Sequence, residues 1–404
     1  MNIKVIEDGG ITSPLGFQAG AARASIKKPE RYDLAVVVSQ VPAVAAGVFT
    51  TNKFQAAPVQ VSRRNIIHEK VIGFVVNSGS ANACTGLPGL TDAEEMITKA
   101  AEAVGCYAEE MLIASTGVIG VPLPMGRILK GINDACANLS IKNGNIAAQA
   151  IMTTDTFAKE GAVQFDLEGK TITLGAMAKG SGMIHPDMAT LLGFVTTDIA
   201  ITKKCLREAL LEANRDSFNM VTVDRDTSTN DSLFVLANGQ AGNQLISEIE
   251  SVGYKSFRDA LSYLCTEMAK MIARDGEGAT KLIEVQVLEA NTNEDARKAA
   301  RSIAASNLVK AAIFGEDANW GRIICALGYS GAEFNPDLVD VCIGDLKVAM
   351  NGQGLSFDEE VAKDILRNKT IVIKVVLKQG QAKSKAWGCD LTYEYVKING
   401  EYRT

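Results

Sequence analysis

Apolar residues recur along this chain in two rhythms. Short runs rich in valine, isoleucine and phenylalanine at 34–38, 47–50, 58–61 and 71–76, separated by turn residues, predict strands of a largely antiparallel sheet. Residues 77–83, Asn-Ser-Gly-Ser-Ala-Asn-Ala, read as a small polar connection. From Thr91 the period lengthens. Thr91-Asp92-Ala93-Glu94 matches a capping box, and apolar positions then follow helical spacing as far as Gly105. A strand at 111–115 leads into Thr116-Gly117, helices are predicted at 125–137 and 145–152, and strands at 162–165 and 171–176.

The second half opens on the apolar run 191–199, a predicted strand, followed by a helix at 203–216 with Leu206, Ala209, Leu210 and Ala213 on one face. Paired strands are expected at 219–223 and 233–237, a helix at 256–273, a strand at 281–288, a helix at 293–306 and another strand at 308–314. A loop at 315–322 leads into a short helix, and 338–342, 347–350, 370–377 and 386–395 are β-like. The pattern is α+β, with helices grouped against sheets and no alternation typical of a doubly wound fold.

Composition narrows the functional classes. With 404 residues, 47% of them hydrophobic and only 6% aromatic, the chain can fill sizeable cores with aliphatic side chains. Lys and Arg total 41 against 47 Asp and Glu, so no basic excess points to nucleic acid. No signal region and no long uncharged apolar stretch is present, which makes a cytoplasmic, non-membrane protein the expectation. Eight scattered cysteines without a C-x-x-C pair fit reduced, mostly buried small hydrophobes. His68 and His185 are the only histidines, too few for a three-histidine metal centre, and no metal is expected. Near Thr280 the spacing of a phosphate-binding G-x-x-x-x-G-K-[ST] loop is absent.

The chemistry concentrates at 179–193, Lys-Gly-Ser-Gly-Met-Ile-His-Pro-Asp-Met-Ala-Thr-Leu-Leu-Gly. Gly180, Gly182 and Pro186 describe a tightly shaped loop, and Thr190 follows the small Ala189 where the loop meets an apolar run. A hydroxyl there suits attack on the preceding carbonyl, an N-to-O acyl shift and release of a new N-terminal threonine. Its free α-amine, with a pKa of about 7.7–8.0, then serves as its own base. Taken alone, an Ala-Thr step before a strand is more often only β-propensity.

The wider pattern is more specific. The loop from Lys179 to Pro186 with Ala189-Thr190-Leu191-Leu192, the stretch Ala114-Ser115-Thr116-Gly117-Val118-Ile119-Gly120, and Met152-Thr153-Thr154-Asp155-Thr156 resemble the ornithine acetyltransferase (glutamate N-acetyltransferase) family of arginine biosynthesis. So do Asp226-Thr227-Ser228-Thr229-Asn230-Asp231, Asp275-Gly276-Glu277-Gly278-Ala279-Thr280-Lys281 and Asn319-Trp320-Gly321-Arg322, so the resemblance spans nearly the whole chain. It implies an N-terminal-nucleophile-like α/β/β/α sandwich with a smaller C-terminal α/β region at about 280–390. It also implies self-cleavage into residues 1–189 and 190–404, and an α₂β₂ assembly of the two pieces.

The implied activity is transfer of acetyl from N²-acetylornithine to L-glutamate by a ping-pong route through acetyl-Thr190. No cofactor is implied, with acetyl-CoA a second donor substrate if the enzyme also starts the cycle. By the same resemblance Thr116 and Gly117 form the oxyanion hole, and Thr153, Lys179, Thr190, Glu277, Asn399 and the terminal Thr404 bind substrate. Without it, Lys179 and Glu277 would be read as solvated charges and Asn399 and Thr404 as a frayed tail. His185 is read as structural, because the new amine already supplies the base. Asp187, Leu191 and Arg225 depart from the family's usual asparagine, methionine and glycine. The rivals are a hydrolase or aminopeptidase with the same nucleophile, separated by a glutamate requirement, and a non-catalytic binding protein, which would stay uncut.

Overall fold

The computed structural model describes residues 2–26, 30–185 and 191–401. The larger of two sheets has nine strands. In spatial order they are Lys4–Ile6, Lys159–Leu167, Lys170–Lys179, Leu192–Thr197, Ser232–Ala237, Leu34–Phe49, Val71–Ser80 and Met111–Val118, with Phe17–Ala22 also paired to Leu34–Phe49. Leu34–Phe49 joins two halves: its first part pairs with Phe17–Ala22 and Val71–Ser80, its second with Ser232–Ala237. The register shifts between Val38 and Ala43, around Pro42, which lacks the N–H a regular ladder needs.

The halves pack face to face, and the two-residue period of each strand sorts its side chains. Ala35 and Val37 point into the space between the halves together with Phe74, Phe194 and Phe234, whereas Leu34, Val36 and Val38 face the opposite way. Phe74 and Phe194 stack across the gap with ring centroids 4.5 Å apart. Helices Gly86–Val104 and Met125–Ala137 cover one outer face, and Lys203–Arg215 and Val252–Arg274 cover the other through Val195, Leu233 and Val235. The result is the expected four-layered α/β/β/α sandwich. Strands buried on both faces explain the unbroken apolar runs in the sequence.

A second, six-stranded sheet lies within 282–389. Leu282–Ala290 runs parallel to Thr370–Val376 and antiparallel to Ala382–Cys389, and helix Asn293–Ala305 packs on this sheet. Its Val285, Ile373 and Trp387 belong to the same core as Phe257 and Leu264 of the sandwich.

Several local expectations are corrected. Residues 58–61 lie in helix Ala57–Asn65, because proline is tolerated in a first turn and Val59, Val61, Ser62 and Asn65 bury one helical face. Residues 77–80 extend strand Val71–Ser80. Helix Gly86–Val104 begins five residues before Thr91, whose hydroxyl donates to the Leu87 carbonyl instead of capping; its C-terminus is Gly105 in the left-handed region, as expected. That helix connects Val71–Ser80 to the parallel strand Met111–Val118 in a βαβ crossover, and helix Lys203–Arg215 likewise lies between the parallel neighbours Leu192–Thr197 and Ser232–Ala237.

At 219–223 there is a turn of 3₁₀ helix, Phe218–Met220, and one bridge from Val221 to Trp387. Residues 308–314 form helix Asn307–Phe314, whose cap Ser306 accepts from the Val309 N–H. The last predicted strand stops at Cys389 and helix Tyr393–Glu401 follows. Cys205, Cys265 and Cys389 are buried, but Cys84 and Cys325 are exposed.

Candidate active site

Strand Lys170–Lys179 delivers Lys179 to the start of the glycine-containing loop, and the loop is pinned along its described length. Gly180 N–H donates to Asp155 Oδ1 at 2.8 Å, Ser181 Oγ donates to the Asp275 carbonyl at 2.6 Å, and Glu277 N–H donates to the Ser181 carbonyl at 3.0 Å. Met183 and Ile184 donate their N–H groups to the two oxygens of Asp224 at 2.6 and 2.8 Å. A Cβ at Gly182 would lie 2.4 Å from the Glu277 carboxylate, which would have to move aside to admit a side chain there.

Beneath the loop lies a buried charge cluster. Lys159 Nζ donates to Asp155 Oδ1 at 2.6 Å and to Asp275 Oδ2 at 2.5 Å, with all three side chains essentially removed from solvent. Burial would raise the Asp155 pKa, but Lys179, Lys159 and the Thr153 N–H outweigh it and hold the carboxyl below its ordinary value. Asp155 thereby fixes both Thr153, by a 2.9 Å bond to its N–H, and Gly180. Burial pushes the Lys179 ammonium below its usual range, opposed chiefly by Asp155. Lys179 Nζ lies 3.4 Å from Thr116 Oγ1.

Thr116 and Gly117 sit where the ladder to Val71–Ser80 becomes irregular, Ser80 facing both Thr116 and Val118. Gly117 has φ +130°, and a Cβ there would lie 2.4 Å from the Gly79 carbonyl carbon. Only glycine lets the two backbones approach in this way. Asn230 clamps the same strand from behind, donating Nδ2 to the Ser115 and Ala81 carbonyls at 2.8 and 2.5 Å.

These parts enclose a cavity of ≈150 Å³ lined by Thr116, Gly117, Thr153, Lys179, Glu277 and Asn399, among others. Six residues singled out in the sequence, spread over nearly three hundred positions, are thus brought together. Asn399 reaches it from the C-terminal helix. Ala189, Thr190 and Thr404, with Pro186 and Asp187, lie outside the described residues. Leu191, the neighbour of Thr190, lines the cavity, and its carbonyl accepts from the Ser232 N–H at 2.9 Å. Asp231, next in the chain to Ser232, is a lining residue the sequence reading did not single out. It is buried, its Oδ2 meets no hydrogen-bond partner among the described residues, and burial raises its pKa well above 3.8.

The ArgJ family model matches residues 18–404. The chain belongs to the ArgJ family. Similar relatives include the "Arginine biosynthesis bifunctional protein ArgJ" of Symbiobacterium thermophilum, 57% identical over 398 residues that cover 98% of this chain and 99% of the relative. Another is "Arginine biosynthesis bifunctional protein ArgJ 1" of Clostridium acetobutylicum, 51% identical over 406 residues covering 100% and 99%. A crystal structure of the Bacillus halodurans protein of that name is similar with a TM-score of 0.51 at 48% identity, covering 53% of this chain and 100% of that one. The resemblance read from the motifs is therefore correct, and the expected class, an acetyltransferase of arginine biosynthesis, is that of the family.

ArgJ membership leaves the remaining residues to their geometry. His185 faces away from the lining just described: its Nδ1 is 2.9 Å from Thr222 Oγ1, its Nε2 is 3.3 Å from Arg301 Nη2, and its carbonyl accepts from Thr227 Oγ1 at 3.0 Å. Arg225 has φ +71°, a conformation glycine adopts without strain, which gives a physical meaning to that departure. The site residues the sequence reading missed are Asp155, Asp231, Lys159 and Asp275. Asp155, Asp231 and Asp275 stood inside quoted stretches, whereas Lys159 carried no signal, since only folding reveals that its ammonium is buried.

Proposed function

We propose that this chain transfers acetyl from N²-acetylornithine to glutamate, with Thr190 as nucleophile after the chain has cut itself between Ala189 and Thr190. The observation that carries this reading is the convergence of Lys179, Thr116, Gly117, Glu277 and Asn399 on one cavity that Leu191 also lines. The Thr190 hydroxyl attacks the acetyl carbonyl while its α-amine takes the proton. The N–C bond breaks, the proton passes to the departing amine, and ornithine leaves acetyl-Thr190 behind. The glutamate amine then attacks the ester, and acetylglutamate leaves as the hydroxyl regains its proton.

Thr116 and Gly117 supply donors to the developing oxyanion, Lys179 and Thr153 hold the α-carboxylate, and Glu277 with Asn399 receives the side-chain ammonium of ornithine. In favour of self-cleavage, the similar Bacillus halodurans chain is wholly covered yet spans just over half of this one, as a piece running from Thr190 to Thr404 would. Two copies of each piece would then form the assembly.

A second groove of ≈350 Å³ shares Gly117, Thr153 and Thr154 with the cavity and continues past Tyr32, Met152 and Ile398 to Arg31. This is more room than an amino acid needs. It favours a longer acetyl donor, acetyl-CoA, as a second substrate. Intact-mass measurement with and without acetylornithine tests the whole reading. The expected result is two chains, the Thr190-initiated one gaining a single acetyl group that glutamate removes; an uncut chain that takes up no acetyl would end it.

A further inference from the structure

The catalytic cavity continues outward through two further hollows in series. Gly117, Thr153 and Thr154 line both the ≈150 Å³ cavity and the ≈350 Å³ groove, and Arg31, Tyr32 and Met152 line both that groove and a third hollow of ≈720 Å³. Both outer spaces fall within the about 300–1,000 Å³ usual for small-molecule sites. The path therefore starts at the glycine assigned to the oxyanion and widens as it leaves it.

Its walls change character along the way. In the middle groove Tyr32, Met152 and Ile398 supply apolar surface, with Ser78, Thr153 and Thr154 among them. The outer hollow is bounded by Arg23, Arg31, Tyr32 and Phe157, with Asn145 and Gln149 of helix Gly144–Ala150. Arg23 stands at one end of the connection between strands Phe17–Ala22 and Leu34–Phe49 and Arg31 and Tyr32 at the other, so the pairing of those strands brings them together. The Arg23 guanidinium lies over the Tyr32 ring, 4.8 Å from its centre. Arg31 Nη1 donates to the Thr153 carbonyl at 3.2 Å, which holds the fork where groove and hollow meet. Phe157 offers a large apolar face, 39% exposed. Two carboxylates share the hollow: Glu30, which is exposed, and Asp155, which is paired with Lys159.

We infer that this path seats a whole coenzyme A thioester, with the pantetheine arm along the groove and the phosphorylated adenosine end in the outer hollow against Arg23, Arg31, Tyr32 and Phe157. The inference rests on the reading of acetyl-CoA as a second donor and adds where that donor lies. A groove with apolar walls and interspersed hydroxyls suits a thin arm carrying spaced amides. Guanidinium forks match phosphate oxygens, and aromatic faces stack on a base. In the transfer the thioester C–S bond breaks as the acetyl carbon bonds to the Thr190 hydroxyl oxygen. The hydroxyl proton, taken by the Thr190 amine, passes to the departing sulfur, so coenzyme A leaves as the thiol.

Steady-state acetylation by the full protein, with glutamate as acceptor and acetyl-CoA, S-acetylpantetheine or acetylornithine as donor, tests the placement. S-acetylpantetheine has the arm without the phosphorylated adenosine. Arg23→Gln changes an exposed side chain outside the acetyl-transfer cavity. It should raise the KM for acetyl-CoA about tenfold, as for loss of one charge-assisted bond, and leave the KM values for S-acetylpantetheine and acetylornithine unchanged. Phe157→Ala should show the same pattern severalfold, and added salt should raise the acetyl-CoA value more in the wild type than in Arg23→Gln. An unchanged KM for acetyl-CoA in both variants, or an equal rise for all three donors, overturns the inference. So does a wild-type protein that transfers acetyl from acetylornithine and not from acetyl-CoA, an outcome that leaves the acetylornithine reading standing; failure with every donor removes that reading as well.

Discussion

Asn399 donates its Nδ2 to Glu277 Oε2 at 2.8 Å, tying the C-terminal helix to a loop 122 positions earlier in the chain. Glu277 is buried and also receives the close approach of Gly182, so its carboxylate is held on the cavity wall and not in solvent. A negative group there attracts an ornithine ammonium and repels a glutamate side chain. Glu277→Gln should therefore slow acetylation by acetylornithine more than deacetylation by glutamate. Rapid-quench measurement of the two half-reactions checks this, and equal effects on both would remove Glu277 from donor recognition.

Thr116→Ala should lower kcat by ~10²–10³-fold, the usual cost of losing one oxyanion donor, with little change in KM. Gly117→Ala belongs to a different class. With φ +130° and the Gly79 backbone 2.4 Å from the new methyl carbon, it should lower the melting temperature together with activity. Kinetics alongside thermal denaturation separates the two, and an unchanged melting temperature for Gly117→Ala would contradict the described geometry.

Thr190→Ala should remain a single chain on denaturing electrophoresis, while Thr190→Ser, which keeps a hydroxyl, should still yield two pieces of nearly equal length. A fully active wild-type protein that runs as one band would exclude self-cleavage.

Removing the Lys159 ammonium leaves Asp155 and Asp275 buried without their shared cation. Lys159→Met should destabilise the fold by about 3–5 kcal/mol, as for other buried ion pairs that lose one partner. Denaturant unfolding measures it; a loss under about 1 kcal/mol, the range of exposed pairs, would show that the cluster is not held together by charge.

Burial raises the Asp231 carboxyl well above 3.8, so between pH 3.8 and its folded value the native state binds more protons than the unfolded chain. Its contribution to stability is complete below 3.8 and is lost as pH rises through the folded value. Lys179, whose pKa is lowered, has the opposite sign: stability rises with pH between its folded value and 10.5. Asp231→Asn should flatten the loss of stability with rising pH on the acidic side while leaving the lysine-dependent rise. Melting temperatures measured from pH 4 upward decide it, and parallel curves for the two proteins would rule the carboxyl out as the cause.

Much of the fold was readable in residue order because burial leaves a period. The strands at 71–76 and 233–237 read as short unbroken apolar runs because both of their faces are buried, and the apolar positions of the helix at 203–216 recur as its one packed face demands. The misreadings have one cause. Val59 and Val61, like the apolar residues at 308–314, have the composition of a strand, and only packing partners distant in sequence decide that they are helical. At the capping box of Thr91, local chemistry was overridden by five further residues that the packed helix could recruit.

By itself the sequence determined the family, the fold class and the identities of the candidate reacting and binding groups, because chemistry needs particular residue types in recognisable surroundings. Tertiary structure alone decided which of them meet. Lys179, Thr116, Glu277 and Asn399 look like unrelated polar positions until the sandwich, the second sheet and the last helix close around them. It alone decided the states of the buried charges as well, since the shifts at Asp155, Lys179 and Asp231 come from desolvation and from neighbours brought near by folding.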